Sequence, residues 1–305
     1  MKITTTILAL AILFASCNQF EKTKTGLAYK ITKGSGTTKI KQGDLIKFNL
    51  EYKVREKDTI LYSTFNHIPA FMKFDSAQIR KHDFTEVLAF CAPGDKYEFV
   101  MNVDSLKKMG MIQDYNATFK RGGVVNGRVE VLKIYANEQE IKADIDKEVV
   151  IEKEREIKDI EAYLKKKNIK AEKSPGGVFV EITAPGEGPK ADTGKQASVL
   201  YRGTLMATGK EFDTNMSGAR AGQTYDVVIG VSQVIQGWHE GLKFFAKGAK
   251  GKLYIPAMMA YGAQGNPPVI PAYANLVFEM NVTDIKNPPP PQQPAPPTVT
   301  PPVKK

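Results

Sequence analysis

The sequence predicts an α+β protein: two small β-rich units joined by a long helix. Three observations carry this. Apolar residues alternate at period two in several short stretches of both halves. Glu138 to Lys167 contains no Gly or Pro and carries helical periodicity. A strand–turn–strand pattern near the start also returns, in the same order, after that helix. A chain of 305 residues suits two cores better than one.

In chain order, the first segment is a targeting signal, set aside from the fold. Lys2 supplies a positive start, and Ile7 to Phe14 is an apolar run too short to span a bilayer. It ends in Phe14-Ala15-Ser16-Cys17, which resembles the bacterial lipobox. That resemblance implies a signal peptide over 1–16, lipidation of Cys17 and a lipoprotein held on a membrane. Asn18 is not the usual retention aspartate, which points to the outer membrane or cell surface rather than the inner membrane. The implied location is the cell envelope, on its periplasmic or surface face. Residues 17–25 read as an anchor linker.

The first β-rich unit covers 26–136. Leu27, Tyr29 and Ile31 alternate with smaller or polar residues, and Gly34 to Gly36 mark a turn. Ile46, Phe48, Leu50 and Tyr52 form a half-buried strand, Asp83 to Ala89 a short helix, and Tyr97–Val103 and Arg128–Tyr135 further strands. Cys91 lies in the apolar run L-A-F-C-A, as a buried, inert thiol. With Cys17 acylated, it has no disulfide partner.

The helical linker occupies 137–173. Ile141, Ile145 and Val149 share a face, Ile157, Ile160 and Leu164 continue it, and Glu–Lys pairs take the other face. An interruption near Val149-Val150-Ile151 and a homodimer through a short coiled coil are open alternatives.

The second unit covers 174–287. Gly177–Gly188 matches Gly26–Gly36, and Thr193–Tyr201 matches Gln42–Leu50. The two differ in their aromatic chemistry. Where the second has Tyr201, the first has Leu50, and where the second has Phe212-Asp213, the first has Leu61-Tyr62. The only Trp, Trp238, belongs to the second. Residues 288–305 form a proline-rich tail that cannot build ladders and reads as extended coil.

The charge excludes little. The net +10 comes from 43 Lys+Arg against 33 Asp+Glu, but the basic residues are scattered and match no nucleic-acid motif, so no nucleic-acid partner is expected. The three histidines make no metal-ligand spacing, so no metal or other cofactor is expected.

Five motifs in register carry a family resemblance. These are V-L-Y-R-G (Val199–Gly203), E-F-D-T-N (Glu211–Asn215), V-I-Q-G-W-H-E-G-L (Val234–Leu242), A-Y-G (Ala260–Gly262) and V-I-P-A-Y-A-N-L-V-F-E-M (Val269–Met280). From about Gly177 to Lys286 the chain resembles the FKBP-type peptidyl-prolyl isomerases. The resemblance implies an antiparallel half-barrel of five or six strands wrapped on a short helix starting at Val234–Leu242, with the first unit a degenerate half-barrel of the same kind. It implies isomerase activity without a cofactor on unfolded or extended proline-containing polypeptides. Tyr201, Asp213 and Tyr261 would be the catalytic set, and Phe212, Tyr225, Val234, Ile235, Trp238, Val269, Ile270 and Phe278 the substrate-binding set. Trp238 would be the floor for the proline ring, and Tyr261 and the Ile235 amide would bond peptide carbonyls. Three departures stand out: Tyr225 replaces the usual Phe, Asn266 a frequent His, and the stretch Thr214–Thr224 is longer, leaving Arg220 as the candidate cation facing the acid. A non-catalytic peptide-binding chaperone or scaffold lipoprotein is the alternative reading.

Overall fold

The structure, a computed structural model, describes residues 19–289. The signal peptide, the lipidation site Cys17 and the proline-rich tail beyond residue 289 lie outside the described residues. The chain divides into two units between Glu148 and Val149.

The first unit contains β1 (Glu21–Lys22), β2 (Ala28–Thr32), β3 (Leu45–Val54), β4 (Thr59–Ser63), β5 (Ala70–Lys73), α1 (Thr85–Leu88), β6 (Lys96–Asn102), α2 (Val103–Lys108), β7 (Val124–Tyr135) and the start of α3 (Glu138–Lys167). All pairings are antiparallel, in the order β1-β2-β6-β7-β3-β4, with β5 beside β3. Ile46, Phe48 and Leu50 turn inward with Tyr97, Phe99, Val129 and Val131, as the alternation predicts. Cys91 is fully buried among them, and burial pushes its thiol up to about 12. On the other face of β3, Lys47 Nζ reaches Asp144 at 2.9 Å and Glu148 at 2.7 Å, which fastens the start of α3.

The second unit contains the rest of α3, then β8 (Glu172–Lys173), β9 (Phe179–Ala184), β10 (Glu187–Lys190), β11 (Gln196–Leu205), β12 (Glu211–Thr214), β13 (Tyr225–Val228), α4 (Gln236–Gly241), β14 (Ala246–Lys247), β15 (Lys250–Ile255) and β16 (Leu276–Lys286). Its main sheet runs β8-β9-β15-β16-β11-β12, with β13 beside β11, again antiparallel. Each main sheet has seven strands rather than five or six, the excess being short strands such as the two-residue β1 and β8. α4 begins at Gln236, not Val234, because Ile235 is still extended at ψ 144°.

The two sheets share one strand order, and their hydrogen bonds agree in detail. Leu50 N donates to Thr64 Oγ1 at 2.9 Å as Tyr201 N donates to Asn215 Oδ1 at 2.6 Å. Ile40 N donates to Cys91 O at 2.9 Å as Ala191 N donates to Phe245 O at 2.8 Å. The pair Tyr52 and Tyr62 matches the pair Gly203 and Asp213.

α3 runs unbroken through Val149–Ile151. In the second unit Ile160 and Leu164 pack on Phe179 and Tyr254. Burying each contributes roughly 1.5–3 kcal/mol. Glu152 and Glu156 are buried. They lie on the four-residue step that leads to Ile160 and Leu164, so helical geometry turns them inward with those residues.

Candidate functional site

A cavity of about 910 Å³ opens in the second unit. Its lining includes all eleven residues expected from the sequence, from Tyr201 on β11 to Phe278 on β16. Trp238 enters from α4 and is only 5% exposed. Around it stand Tyr201 at 5.0 Å, Phe278 at 5.2 Å and Tyr225 at 6.2 Å between ring centroids, all edge-on. Phe212 meets Phe278 edge-on at 5.6 Å. Such edge-to-face contacts follow the ring quadrupole and hold the rings apart as walls instead of letting them collapse into a stack.

Small residues make this possible. A Cβ on Gly237 would come within 2.3 Å of Ile255, and one on Gly241 within 2.5 Å of Leu253, so the two glycines let α4 lie flat on β15. On Gly203 a Cβ would sit 2.6 Å from Phe212 and 2.8 Å from Phe278, so that position is kept clear for the two rings.

One wall is polar. Tyr201 Oη donates to Asp213 Oδ2 at 2.6 Å, and Arg220 pairs with the other carboxylate oxygen. Burial pushes the Tyr201 phenol up, and the hydrogen bond to Asp213 adds to this, to about 12. Burial alone would raise the Asp213 carboxyl, but the Tyr201 hydroxyl and Arg220 outweigh it and hold it below the usual carboxylate range. Asp213 therefore stays ionised at neutral pH. The longer stretch after β12 supplies its cation, Arg220, at the 3-10 turn Gly218–Arg220.

Asn215 anchors this wall from beneath. It is buried, accepts from Tyr201 N at 2.6 Å, and donates to Val199 O at 3.1 Å and Gln223 O at 2.8 Å. Asn215→Ala takes the acceptor from the buried Tyr201 N–H and the donors from Val199 O and Gln223 O, and is expected to destabilise the unit by roughly 1–3 kcal/mol, measured by urea unfolding.

The rim is half apolar. Tyr225, Tyr261 and Val269 are exposed, Val234 and Ile235 half-buried. Among the described residues the Ile235 N–H, at the start of α4, has no partner. His239 steadies the adjoining loop: its Nδ1 accepts from Gly230 N at 2.9 Å while Nε2 lies 3.0 Å from Ser232 O. These two contacts require the neutral ring with the proton on Nε2. Gln233, Gln236 and Ala260 also line the cavity and are not among the expected residues, because their types carry no signal of a pocket, although Gln236 and Ala260 lie inside two of the motifs.

Tyr261 follows a single helical turn, Ala257–Met259, whose first N–H groups are capped from outside. Asn275 Oδ1 accepts from Ala257 N at 3.0 Å, and Glu156 Oε2 on α3 accepts from Met258 N at 2.9 Å. Burial pushes the Tyr261 phenol up, with Asp213 adding to it.

The first unit fills the equivalent space. Tyr52 stands at the position of Gly203, and Gly127 at that of Phe278. The Phe99 ring occupies the room over Gly127, where a Cβ would meet its Cζ at 1.9 Å. Tyr52 packs edge-on against Phe99 at 5.6 Å, and Tyr97 Oη donates to Phe84 O at 2.8 Å.

The family model for FKBP-type peptidyl-prolyl cis-trans isomerases matches residues 188–283. An FK506-binding protein of Neisseria meningitidis serogroup B is 39% identical over 110 residues, 36% of this chain and 97% of that protein. FK506-binding protein 1A of Emericella nidulans is 44% identical over 112 residues, 36% of this chain and 98% of that protein. The 46 kDa FK506-binding nuclear protein of Spodoptera frugiperda is 40% identical over 111 residues, again 36% of this chain. The chain spans only 26% of the length of that third relative.

Proposed function

Because the chain belongs to the family of FKBP-type peptidyl-prolyl cis-trans isomerases, we propose that its second unit catalyses cis–trans exchange of Xaa–Pro bonds in extended or unfolded polypeptides. The observation that carries this is a cavity with an aromatic floor and walls, bordered by Asp213, which is hydrogen-bonded by Tyr201 and ion-paired with Arg220.

The chemistry needs no nucleophile. Rotation about the Xaa–Pro bond is opposed by ~18–20 kcal/mol because the amide loses its resonance at the transition state. The planar amide is more polar than the twisted one, so transfer to a dry aromatic cavity disfavours the ground state relative to the transition state. Trp238 receives the proline ring, and Phe212, Phe278 and Ile270 enclose it. The Ile235 N–H and the Tyr261 hydroxyl are donors for peptide carbonyls on the two sides of the bond. The ionised Asp213, fixed by Tyr201 and Arg220, sets the field at the carbonyl that turns. Each 1.36 kcal/mol removed from the barrier speeds exchange about tenfold.

The first unit serves as a partner domain of the same descent without the aromatic cavity, a reading supported by the shared strand order and the filled space over Gly127. The lipobox-like segment and Cys17 support a place for the chain on the envelope membrane, with exported proteins as substrates. A Cys17→Ser chain that fractionates with membranes as the parent does would overturn the anchor.

The full chain is expected to accelerate exchange in a proline peptide above the spontaneous rate. Asp213→Ala is expected to lower kcat/KM roughly tenfold, the loss of one charge-assisted contact. Peptide binding that quenches Trp238 fluorescence without any acceleration would instead establish a binding module.

A further inference from the structure

On the reading of the cavity given above, we propose that Glu156 of α3 is a positioning residue for Tyr261, acting by capping the helical turn that presents it. Glu156 lies in α3, before residue 188, where the family match begins. It is 3% exposed and uses its two oxygens unequally. Oε2 accepts from Met258 N at 2.9 Å, while Oε1 has no partner among the described residues. A buried carboxyl with one unpartnered oxygen is a poor source of stability, since an apolar side chain of similar size packs there without desolvation cost. Its specific contribution is the acceptor it places at the Met258 N–H.

That N–H is the second of the turn Ala257–Met259, and the turn ends on the residues that line the cavity. Met259 N donates to Pro256 O at 2.9 Å and Ala260 N to Ala257 O at 2.8 Å, and Ala260 and Tyr261 follow directly in the lining. Gly262 N returns to Ala257 O at 2.8 Å, so Tyr261 is bracketed by bonds to the capped end of the turn. The two external caps come from opposite ends of the sequence: Asn275 just before β16, and Glu156 on the helix before the domain. Glu152 and Ile160, one helical turn to either side of Glu156, are buried and keep the carboxyl in register with Met258. Loss of the cap frees the turn to unwind by one bond, and the Tyr261 hydroxyl loses its fixed direction. A misplacement of that order is costly where catalysis rests on preset donors.

The test is a double-mutant cycle in the full chain, with a proline peptide as substrate. Glu156→Ala is expected to lower kcat/KM about five- to twentyfold at temperatures where the variant remains folded. Glu156→Gln keeps an acceptor oxygen and is expected to stay within about twofold of the parent. In a Tyr261→Phe background, Glu156→Ala is expected to cause no further loss, because the group it positions is gone. Equal kcat/KM for parent and Glu156→Ala, or losses that multiply fully in the double variant, would overturn the proposal. A parent chain with no rate acceleration would overturn the isomerase reading instead. The positioning role is then decided by the same cycle on peptide affinity from Trp238 fluorescence, where a pattern other than coupling of Glu156 with Tyr261 overturns it.

Discussion

Gly203→Val is expected to lower isomerase activity by roughly ten- to a hundredfold. The position sits on β11 beneath two cavity rings, and even a Cβ would lie 2.6 Å from Phe212 and 2.8 Å from Phe278. Neither contact can persist, so something must move. Phe278 is buried among Tyr201, Trp238 and the β16 backbone, whereas Phe212 is half-buried at the cavity edge. Phe212 is therefore the ring that swings, and the space available to it is the cavity itself. Overpacking of this kind costs about 1–3 kcal/mol. Charged against the bound transition state, that amount gives the loss stated above. In the first unit Tyr52 stands at the place of Gly203 and the Phe99 ring lies over Gly127, so side chains take up the corresponding room there. Steady-state kinetics on the full chain checks the prediction. Unchanged kcat/KM in a folded variant would mean that Phe212 does not wall the reacting site.

The site residues were legible through the motifs that carry the family resemblance. Five motifs converge on one cavity because a small half-barrel has few ways to hold an aromatic pocket, and each way leaves a residue type behind. Gly203 clears space for rings, Gly237 and Gly241 let α4 approach β15, and Asp213 needs Tyr201 and a cation. Arg220 follows from the family resemblance, in which a cation often faces the acid, and the structure places it against Asp213. Glu156 on α3 leaves no such trace in the sequence. A helix rich in Glu and Lys offers many i,i+4 pairs, and that pattern does not distinguish a solvated Glu from one aimed at a backbone N–H. The burial of Glu156 depends on where Met258 lies, a tertiary fact with no local trace. Gln233 and Gln236 carry no trace on similar grounds, since the loop before α4 and the first residue of α4 bring them into the lining whatever their type.

Glu156 also dictates a pH dependence of stability with a defined sign. Burial pushes its carboxyl up, the Met258 N–H and Arg155 pull it down, Glu152 and Asp159 push it up, and the balance lies at about 7 against an ordinary value of 4.5. The folded state therefore binds this proton more tightly than the unfolded chain does. The stabilisation from that proton is complete below about pH 4.5 and is lost as pH rises through about 7. The gap corresponds to on the order of 3 kcal/mol of unfolding free energy. Glu156→Gln removes the titration while keeping an oxygen for Met258. Referred to its value at pH 4.5, the stability of the variant relative to the parent is expected to climb by ~2–3 kcal/mol by pH 8. Urea unfolding followed by the fluorescence of Trp238, the sole tryptophan, reports on the second unit selectively. A difference between variant and parent that does not change with pH would place the ionised carboxylate in contact with water. The cap on the Tyr261 turn would then be held by a group far less constrained than its burial implies.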